Sequence, residues 1–501
     1  MSVYDRFIHR AERPGATGAP ASSASRSRRK RRFAAALVAA MLIAGSLAPP
    51  AAVAGSPRET DEVRELRQRV EELEKALRQV QKDTRTLEVA EEVRTKAKPN
   101  AGYKDGFFLN SDDGKYKLKV GGYVHADSRW ALDHHSRDIT DGFSIRRARL
   151  DIRGTLADRF EFRVMPDFAG SSLVLQDAYV DWKFALPFIL RVGKMKTPFG
   201  IERLQSATAL QFMERALTDN LVPNRDLGVQ LYGDIAQGVF SYQAGVFNGV
   251  VDGGSTDVNL NDAVDLAARV FSHPFRNTPW KHAQGLGLGV AGSWGEHQGT
   301  PANSQLPQFR TSSRAAFFRY RGDDTATAGV DETTVADGAH WRVSPQAYWY
   351  AGPFSALGEY VYSSQQIRSG TAHGTTQNDA WQARVGYVLT GEDSTYKGVT
   401  PSNPFNFGNG GWGAWELALR ASALDVDDDT FRGGFASAAQ GATEAQEYTL
   451  ALNWYVNKNV AVYFNYLHGE FEAGRSVTAP RIGPENRKDE DAFLTRVQFV
   501  F

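Results

Sequence analysis

The sequence predicts an all-β fold, a 16-stranded transmembrane β-barrel, and three observations point to it. Apolar and polar residues alternate in sixteen segments between residue 115 and the last residue, Phe501. Strict alternation is typical of strands with one face in lipid and the other in water. The connections between these segments tend to alternate between short and long, as in barrels of the outer membrane. The final segment is rich in aromatic residues and closes on Phe501.

Composition narrows the classes to which this chain can belong. Its 501 residues include 58 Lys and Arg, 58 Asp and Glu, and no Cys. The lack of Cys excludes disulfide scaffolds, thiolate metal sites and cysteine nucleophiles. A formal net charge of zero gives no general attraction to nucleic acid. A mean hydropathy of −0.41, with no apolar span of about 20 residues after residue 50, excludes a helical membrane protein. Alternating strands average to such a polar value.

Residues 1–54 have the pattern of a secretory signal region. A basic run at 28–32 precedes an apolar run at 33–47, and small residues follow up to Ala52-x-Ala54. This order is typical of a signal peptide cleaved after Ala54. The apolar run is short for a transmembrane helix, although a non-cleaved anchor is the alternative. Secretion combined with a membrane barrel predicts the bacterial outer membrane.

Residues 55–98 carry a heptad pattern that predicts a periplasmic coiled-coil helix. Apolar residues are spaced three and four apart over about four heptads, with charged and polar residues elsewhere. One such stripe cannot bury itself, so the pattern favours self-association; a lone amphipathic helix lying on the next domain is the alternative. Residues 99–114 are predicted to be a linker and 115–501 the barrel. The seam residues are Val63, Leu66, Val70, Leu73, Leu77, Val80 and Leu87.

The alternating segments set the expected order of strands and connections. After the first, at 115–126, segments begin near residues 145, 160, 175, 189, 227, 239, 264, 286, 341, 354, 380, 413, 447, 460 and 492. Long connections are expected at 127–143, 196–225, 248–262, 296–338, 364–377, 424–445 and 469–490, with a short exception at 168–173. Two connections on the other side, 272–284 and 391–411, are longer than the pattern requires. Aromatic residues recur at strand ends, as interfacial girdles do: Tyr116, Phe160, Trp182, Trp294, Trp341, Trp349 and Trp454.

An arginine-rich strand is the first indication of function. Residues 146–153 contain four arginines, and the apolar residues between them take the lipid side. Arg147, Arg149 and Arg153 are therefore expected in the lumen. Arg146 falls on the other face unless it lies at the rim or beside a bulge. These arginines are either a ring that attracts anions or side chains tolerated in a wet lumen and paired with acids.

The third long connection is unusual because it is both long and partly apolar. Residues 197–215 contain an apolar set that suits a loop packed inside a lumen. In that position Arg203, Ser206 and Arg215 would form a constriction. The alternative is an external loop with a short helix.

Taken together, several stretches resemble the phosphate-selective porins of the O and P type. They are Phe143-Ser-Ile-Arg-Arg-Ala-Arg-Leu150, Gln176-Asp-Ala-Tyr-Val180, Val192-Gly-Lys-Met-Lys-Thr-Pro-Phe-Gly200, Phe212-Met-Glu-Arg215, Tyr396-Lys-Gly-Val-Thr-Pro-Ser-Asn-Pro404, Gly410-Gly-Trp-Gly-Ala-Trp-Glu-Leu417 and Leu452-Asn-Trp-Tyr-Val-Asn457. The resemblance implies a trimeric channel with an arginine track and a central anion site.

The resemblance also assigns roles by position. Arg146 and Arg147 resemble the family's strand arginines, and Asp177 resembles the acid beside the binding zone. Arg203, Ser206 and Arg215 resemble the loop residues that hold the anion. The chain departs from the family's loop motif, a lysine followed by paired serines, because Arg203 and Ser206-Ala207 stand in those places. Losing a hydroxyl and exchanging ammonium for guanidinium could shift the preferred anion.

We therefore expect an anion-selective outer-membrane porin with no cofactor and no metal. Its expected partners are phosphate, pyrophosphate, polyphosphate or other small anions, together with outer-membrane lipid and two further copies of the chain. A general or organic-anion porin is the alternative, and a plugged adhesive barrel or an enzyme is less favoured. The nearest match to a nucleophile elbow, at 291–295, lacks its first Gly and sits within a strand. The His134-His135 pair lacks ligand spacing, and Asp427-Asp428-Asp429 is typical of a solvated loop.

Overall fold

The computed structural model describes residues 61–96, 100–132, 141–259, 263–322, 331–408, 410–437, 441–473 and 489–501. The predicted signal region and the His134-His135 pair lie outside these residues. The chain divides into two compact units, with the boundary between Pro99 and Asn100. In the first unit, α1 (Asp61–Lys96) is a single helix of 36 residues. Of the helices in the described ranges, none is long and apolar enough to span a bilayer.

The second unit is a closed barrel of sixteen antiparallel strands, which confirms the predicted fold class. Each strand pairs with its neighbours along the chain, and the last pairs with the first. The barrel strands are β3 (Lys117–Ala131), β4 (Gly142–Leu156), β5 (Phe160–Asp167), β6 (Val174–Ala185), β7 (Phe188–Lys196), β8 (Arg225–Ile235), β9 (Phe240–Phe247), β10 (Asp265–Ser272), β11 (Leu286–Gln298), β14 (Thr334–Ala351), β15 (Phe354–Ser369), β16 (Ala372–Val388), β17 (Ala414–Asp425), β18 (Ala442–Tyr455), β19 (Val460–Ala473) and β20 (Asp489–Val500).

Two short hairpins supplement the barrel. The strands β1 (Ala101–Tyr103) and β2 (Phe107–Asn110) pair with each other, and β2 also pairs with the start of β3. They lie within the stretch that was predicted to be a linker. The second hairpin, β12 (Gln308–Arg310) and β13 (Ala316–Arg319), belongs to the connection between β11 and β14.

Closure of the barrel uses the last residue of the chain. Phe501 and Gly122 exchange two backbone hydrogen bonds of 2.9 Å. Beyond this point β20 ends, and β2 covers the exposed edge of β3 from Lys117 to Val120. A covered edge leaves no row of unpaired backbone groups in that stretch.

Side chains alternate between the two faces as predicted. In β16, Trp381, Val385 and Tyr387 are exposed on the outer face, while Gln382 and Arg384 are buried in the lumen. An apolar outer face suits contact with lipid. The lumen is polar where it is open and packed where connections enter it.

One predicted connection is wrong. Residues 364–377 were expected to form a long loop, but β15 extends to Ser369 and β16 begins at Ala372. The turn is only two residues long, and its first residue, Gly370, has a φ of +56°. A tight hairpin turn needs such a left-handed residue, which glycine adopts without strain. The polar composition of these strand ends hid them from the sequence pattern.

Two connections pack on the inside of the sheet. Loop 3 (residues 197–224) contains the short helices α2 (Ile201–Leu204) and a 3-10 helix (Leu217–Leu221). The hairpin β12–β13 in the connection after β11 packs against loop 3 through buried phenylalanines, among them Phe309 and Phe318. A further short helix, α3 (Asp428–Arg432), lies in the connection between β17 and β18.

Candidate functional site

Loop 3 is fixed to one half of the barrel wall. Its backbone and side chains make hydrogen bonds to seven consecutive strands, β14 to β20. At the beginning of the loop, the Gln346 side-chain amide donates to the Phe199 carbonyl at 2.6 Å, and the Ile201 backbone N–H donates to the Glu359 carboxylate at 2.7 Å. Further contacts reach Arg384, Arg420, Asn453, Asn465, Arg496 and Gln498. The loop therefore lies across the lumen and not outside the barrel.

The strongest of these anchors is a buried ion pair. The Arg384 guanidinium lies 2.7 Å from the Glu202 carboxylate, and both side chains are at most 2% exposed. Glu202 also accepts the Ala216 backbone N–H at 2.9 Å. One carboxylate thereby connects the beginning of loop 3, at Glu202, and its second half, at Ala216, to β16.

The half of the barrel that loop 3 leaves open is lined by arginines from β4. Register between β3 and β4 shifts at His125, which pairs with Arg147, while the next residue pairs with Ile145. Arg146 is the extra residue of this bulge. A bulge turns a side chain toward the face that its position would otherwise avoid, so Arg146 and Arg147 both point inward.

These two arginines meet a carboxylate on loop 3. The Arg146 Nε lies 2.7 Å from the Glu214 Oε1, and the Arg147 Nη2 lies 3.5 Å from the Glu214 Oε2. Arg496 of β20 approaches the same carboxylate to 3.2 Å. Burial favours the protonated form of Glu214, but the three guanidinium groups outweigh it and hold the pKa of this carboxyl well below its usual range. Glu214 is therefore charged at neutral pH.

Asp177 lies between two arginines on the same open side. The Arg225 Nε is 2.9 Å from its Oδ1, and the Arg163 Nη1 is 3.1 Å from its Oδ2. Arg163 also contacts Asp151 of β4 at 2.8 Å. The carboxylates thus alternate with guanidinium groups along the wall.

The loop residues predicted from the sequence lie around the same space. Arg203 is paired with Asp219, and its Nε is buried without a hydrogen-bond partner among the described residues. Arg215 donates to the Glu202 and Gln205 carbonyls at 3.1 and 3.2 Å. The Ser206 hydroxyl lies 2.9 Å from that of Thr208.

A lysine next to loop 3 holds its first turn. The Lys196 Nζ donates to the carbonyl oxygens of Arg203, Leu204 and Gln205 at 2.7, 3.2 and 2.9 Å. Five residues earlier on β7, Arg191 also faces the lumen, although five residues separate opposite faces of a regular strand. Lys196 is the last residue of β7, where the chain passes into loop 3.

All six predicted site residues line one cavity of about 570 Å³. It is bounded by loop 3 on one side and by the inner faces of β3 to β9 on the other. Eleven basic side chains line it, against five acidic ones. The basic residues are Lys119, Arg146, Arg147, Arg149, Arg153, Arg163, Arg191, Lys196, Arg203, Arg215 and Arg225, and the acidic ones are Asp105, Asp151, Asp177, Glu214 and Asp219.

The sequence interpretation missed several of these residues. Arg163 and Arg191 lie on strands whose apolar residues indicate the lumen-facing positions, as they do in β4. Lys196 and Arg225 flank loop 3. Lys196 lies an odd number of residues from Arg191, so alternation along β7 does not predict that both face the lumen. The role of Glu214 has no signal in the sequence, because nothing there shows which strand a loop carboxylate will reach.

Comparison with known proteins agrees with this architecture. The family model described as phosphate-selective porin O and P matches residues 118–501. The chain belongs to the phosphate-selective porin O and P family. It is an outer-membrane porin, and its fold and family are those of a channel.

Individual relatives of the porin are distant. It is 26% identical over 441 residues to Porin O of Pseudomonas aeruginosa, a match that covers 79% of this chain and 91% of the relative. An uncharacterized protein of Caulobacter vibrioides is 25% identical over 343 residues, covering 66% of this chain and 63% of the relative. Among solved structures, the outer membrane channel DcaP of Acinetobacter baumannii is similar with a TM-score of 0.48 and 13% identity, covering 78% of this chain and 99% of that one.

Two other motifs have structural places in the porin. The segment 291–295 lies inside β11, away from any strand–helix turn. Asp427 caps α3 by accepting the Asp429 backbone N–H at 2.9 Å. Within the described ranges, no group of three or more His, Asp or Glu side chains is arranged to hold a metal ion.

Proposed function

We propose that this porin conducts small anions, phosphate among them, through the cavity beside loop 3. The observation that supports this most strongly is the charge of the cavity wall, with eleven basic side chains and five acidic ones. A narrow polar path with an excess of one charge raises the local concentration of ions of opposite charge. Guanidinium groups stay charged and match phosphate or carboxylate oxygens in pairs.

In the proposed mechanism the anion exchanges part of its water for protein donors at the constriction. Arg146 and Arg147 act from the wall, and Arg203 and Arg215 act from the loop. Arg203 lines the cavity, and its guanidinium group would donate to an oxygen of the anion there. The Ser206 hydroxyl, which is exposed in the same cavity, donates one further hydrogen bond.

The acidic residues limit how tightly the anion is held. Asp177 and Glu214 already occupy donors of five arginines between them. Conduction needs a site that is favourable enough to enter and weak enough to leave. Part of the positive charge is therefore compensated, and the arginines are kept in place when no anion is present.

The preferred anion depends on the two departures from the family motif. Arg203 offers a fork of donors where an ammonium would offer a point charge. Ala207 offers no hydroxyl. This change favours an anion with several oxygens around a planar or extended group, such as pyrophosphate, polyphosphate or an organic carboxylate, as much as orthophosphate. A general organic-anion porin is the second candidate for the same reason.

We also assign the porin to a trimer in the lipid of the outer membrane, with an N-terminal signal at 1–54 and a periplasmic helix at 55–98. The apolar outer faces of the strands support the contact with lipid. The heptad seam supports association between copies.

Single-channel recording in planar bilayers tests the proposal. Reversal potentials in gradients of potassium chloride, phosphate and pyrophosphate give the selectivity for each anion. The double variant Arg203→Ala/Arg215→Ala is expected to lose most of its preference for anions, and Arg203→Lys is expected to retain it. Arg432→Ala removes an exposed arginine of α3 outside the cavity and serves as the control. Unchanged selectivity in the double variant would reject the assignment.

A further inference from the structure

The helix α1 carries an apolar stripe that is exposed in the single chain. Leu66, Val70, Leu73, Leu77 and Val80 are all more than half exposed. Their spacing of four, three, four and three places them on one face of a helix about 54 Å long. Five large apolar side chains in water lose about 1.5 to 3 kcal/mol each relative to burial. This face therefore requires a partner.

The rest of the helix surface is stabilised within the chain. Glu65 and Arg69, Glu71 and Lys75, and Glu74 and Arg78 form ion pairs four residues apart at 3.7, 3.2 and 3.9 Å. In each pair the acid comes first, which is the more favourable order on a helix. The helix is thus polar on every side except the seam.

We propose that α1 forms a parallel, in-register coiled coil with the α1 helices of neighbouring copies of this chain. Charges beside the seam support this direction. With Val70 and Leu77 at the a positions and Leu66, Leu73 and Val80 at the d positions, Arg69 is a g residue and Glu74 is the e residue that follows. In a parallel, in-register pair, g of one helix faces the next e of the other, so Arg69 meets Glu74 of the next copy. Asp83 and Glu88, at the same positions two heptads later, carry like charges, so the support comes from the middle of the seam.

The seam does not fix the number of helices by itself. Val70 at a with Leu73 at d favours a pair of helices, whereas Leu77 at a with Val80 at d favours more than two. The number therefore follows the number of subunits, which is three if the proposed trimer is correct. The coiled coil joins the N-terminal segments of these subunits, only four residues before β1.

Cysteine crosslinking of the full-length porin in outer-membrane vesicles tests the pairing. The natural chain has no Cys, so a disulfide reports only on the residue introduced. In a parallel, in-register coil, two position-73 side chains lie within the range that a disulfide spans. Leu73→Cys is expected to give a covalent dimer on oxidation, and Lys75→Cys, on the outer face of the helix, is not. No dimer from Leu73→Cys, or equal dimer from both variants, would overturn the proposal.

Charge exchange tests the direction and the register. Glu74→Arg places like charges opposite each other and is expected to reduce crosslinking through position 73. Adding Arg69→Glu to it is expected to restore crosslinking. Glu71→Arg, which breaks a comparable pair within the helix but faces away from the seam, is the control. Failure of the double exchange to restore crosslinking would exclude the parallel register.

Channel recording keeps this proposal separate from the proposed function. The substitutions lie in α1, which belongs to a different compact unit from the barrel, so conductance and anion selectivity are expected to be unchanged. Absent crosslinking with normal conductance rejects the coiled coil alone. Normal crosslinking with no anion selectivity rejects the channel assignment alone.

Discussion

The Arg146 Nε lies 2.7 Å from the Glu214 Oε1. This ion pair joins the bulge residue of β4 to the second half of loop 3. The contact exists because the bulge turns Arg146 inward and because loop 3 crosses the lumen. Arg147 and Arg496 approach the same carboxylate. Glu214 thereby links loop 3 to three arginines of the barrel wall, two of which line the proposed anion path.

Glu214→Gln is expected to strengthen anion binding. It removes one negative charge from among three arginines while keeping the side-chain shape. A unit charge at about 4 Å contributes about 1 kcal/mol even in water-like surroundings, so the phosphate concentration that half-blocks chloride current should fall roughly fivefold. Current block in bilayers measures it. Weaker block would mean that Glu214 acts mainly by holding the arginines in position.

Asp177→Asn is expected to slow the release of anions. Arg225 would lose its carboxylate partner and Arg163 one of its two, and both would keep their charge for the anion. The half-blocking phosphate concentration should fall, and the maximal phosphate current should fall with it. Asp429→Asn, which removes the carboxylate partner of Arg432 on α3 outside the cavity, is the control. A rise in both quantities would contradict the role proposed for Asp177.

Lys196→Met is expected to weaken phosphate block about tenfold, which corresponds to about 1.4 kcal/mol. The variant removes a charge from the cavity and releases the carbonyl oxygens of Arg203, Leu204 and Gln205. Lys119→Met removes a charge from the same cavity but on β3. If the two variants weaken block equally, Lys196 contributes only its charge. If Lys196→Met alone does so, its contacts with loop 3 are what matter.

Arg384→Met is expected to destabilise loop 3. It leaves Glu202 buried without its cation, and breaking a buried pair in this way costs about 3 to 5 kcal/mol. The open channel should become noisier, and the thermal unfolding temperature in detergent should fall. The double variant Glu202→Gln/Arg384→Met should recover part of the loss. An unaltered current trace would show that other anchors suffice.

Leu419→Arg tests which face of β17 meets lipid. Leu419 is 53% exposed on the outer face and lies in a row with Val385 and Leu450. An arginine near the membrane midplane costs about 2 to 4 kcal/mol in a barrel. Urea unfolding in lipid vesicles measures the change, with Leu419→Ala as the control. Equal stabilities of the two variants would contradict the assignment of this face.

Much of the barrel could be predicted from the sequence, because its strands obey a local rule. A residue's face depends on its distance along its own strand, so alternation alone gave sixteen segments and the inward positions of β4. The rule failed at 364–377, where both faces become polar beyond the lipid and no longer differ. It was also insufficient at Arg146, whose direction depends on a bulge in the pairing with β3.

The site could be predicted only in part. Sequence resemblance indicated Arg146, Arg147, Asp177, Arg203, Ser206 and Arg215, and all six line one cavity. Lys196, Arg163 and Arg225 were not assigned, and the carboxylate that joins loop 3 to the arginines was not recognised. Such contacts join residues up to several hundred positions apart, as Arg496 and Glu214 do.

The sequence by itself determined the class of protein, the number of strands and the lipid-facing positions, since these follow from hydrophobic periodicity along each strand. Only the tertiary structure decided which half of the lumen loop 3 fills, which arginines it leaves on the open side, and which carboxylates neutralise them. These features depend on closure of the sheet, which brings β20 beside β3 and lets Arg496 reach the same loop carboxylate as the arginines of β4. No local pattern in the sequence encodes which distant strands and loops come into contact.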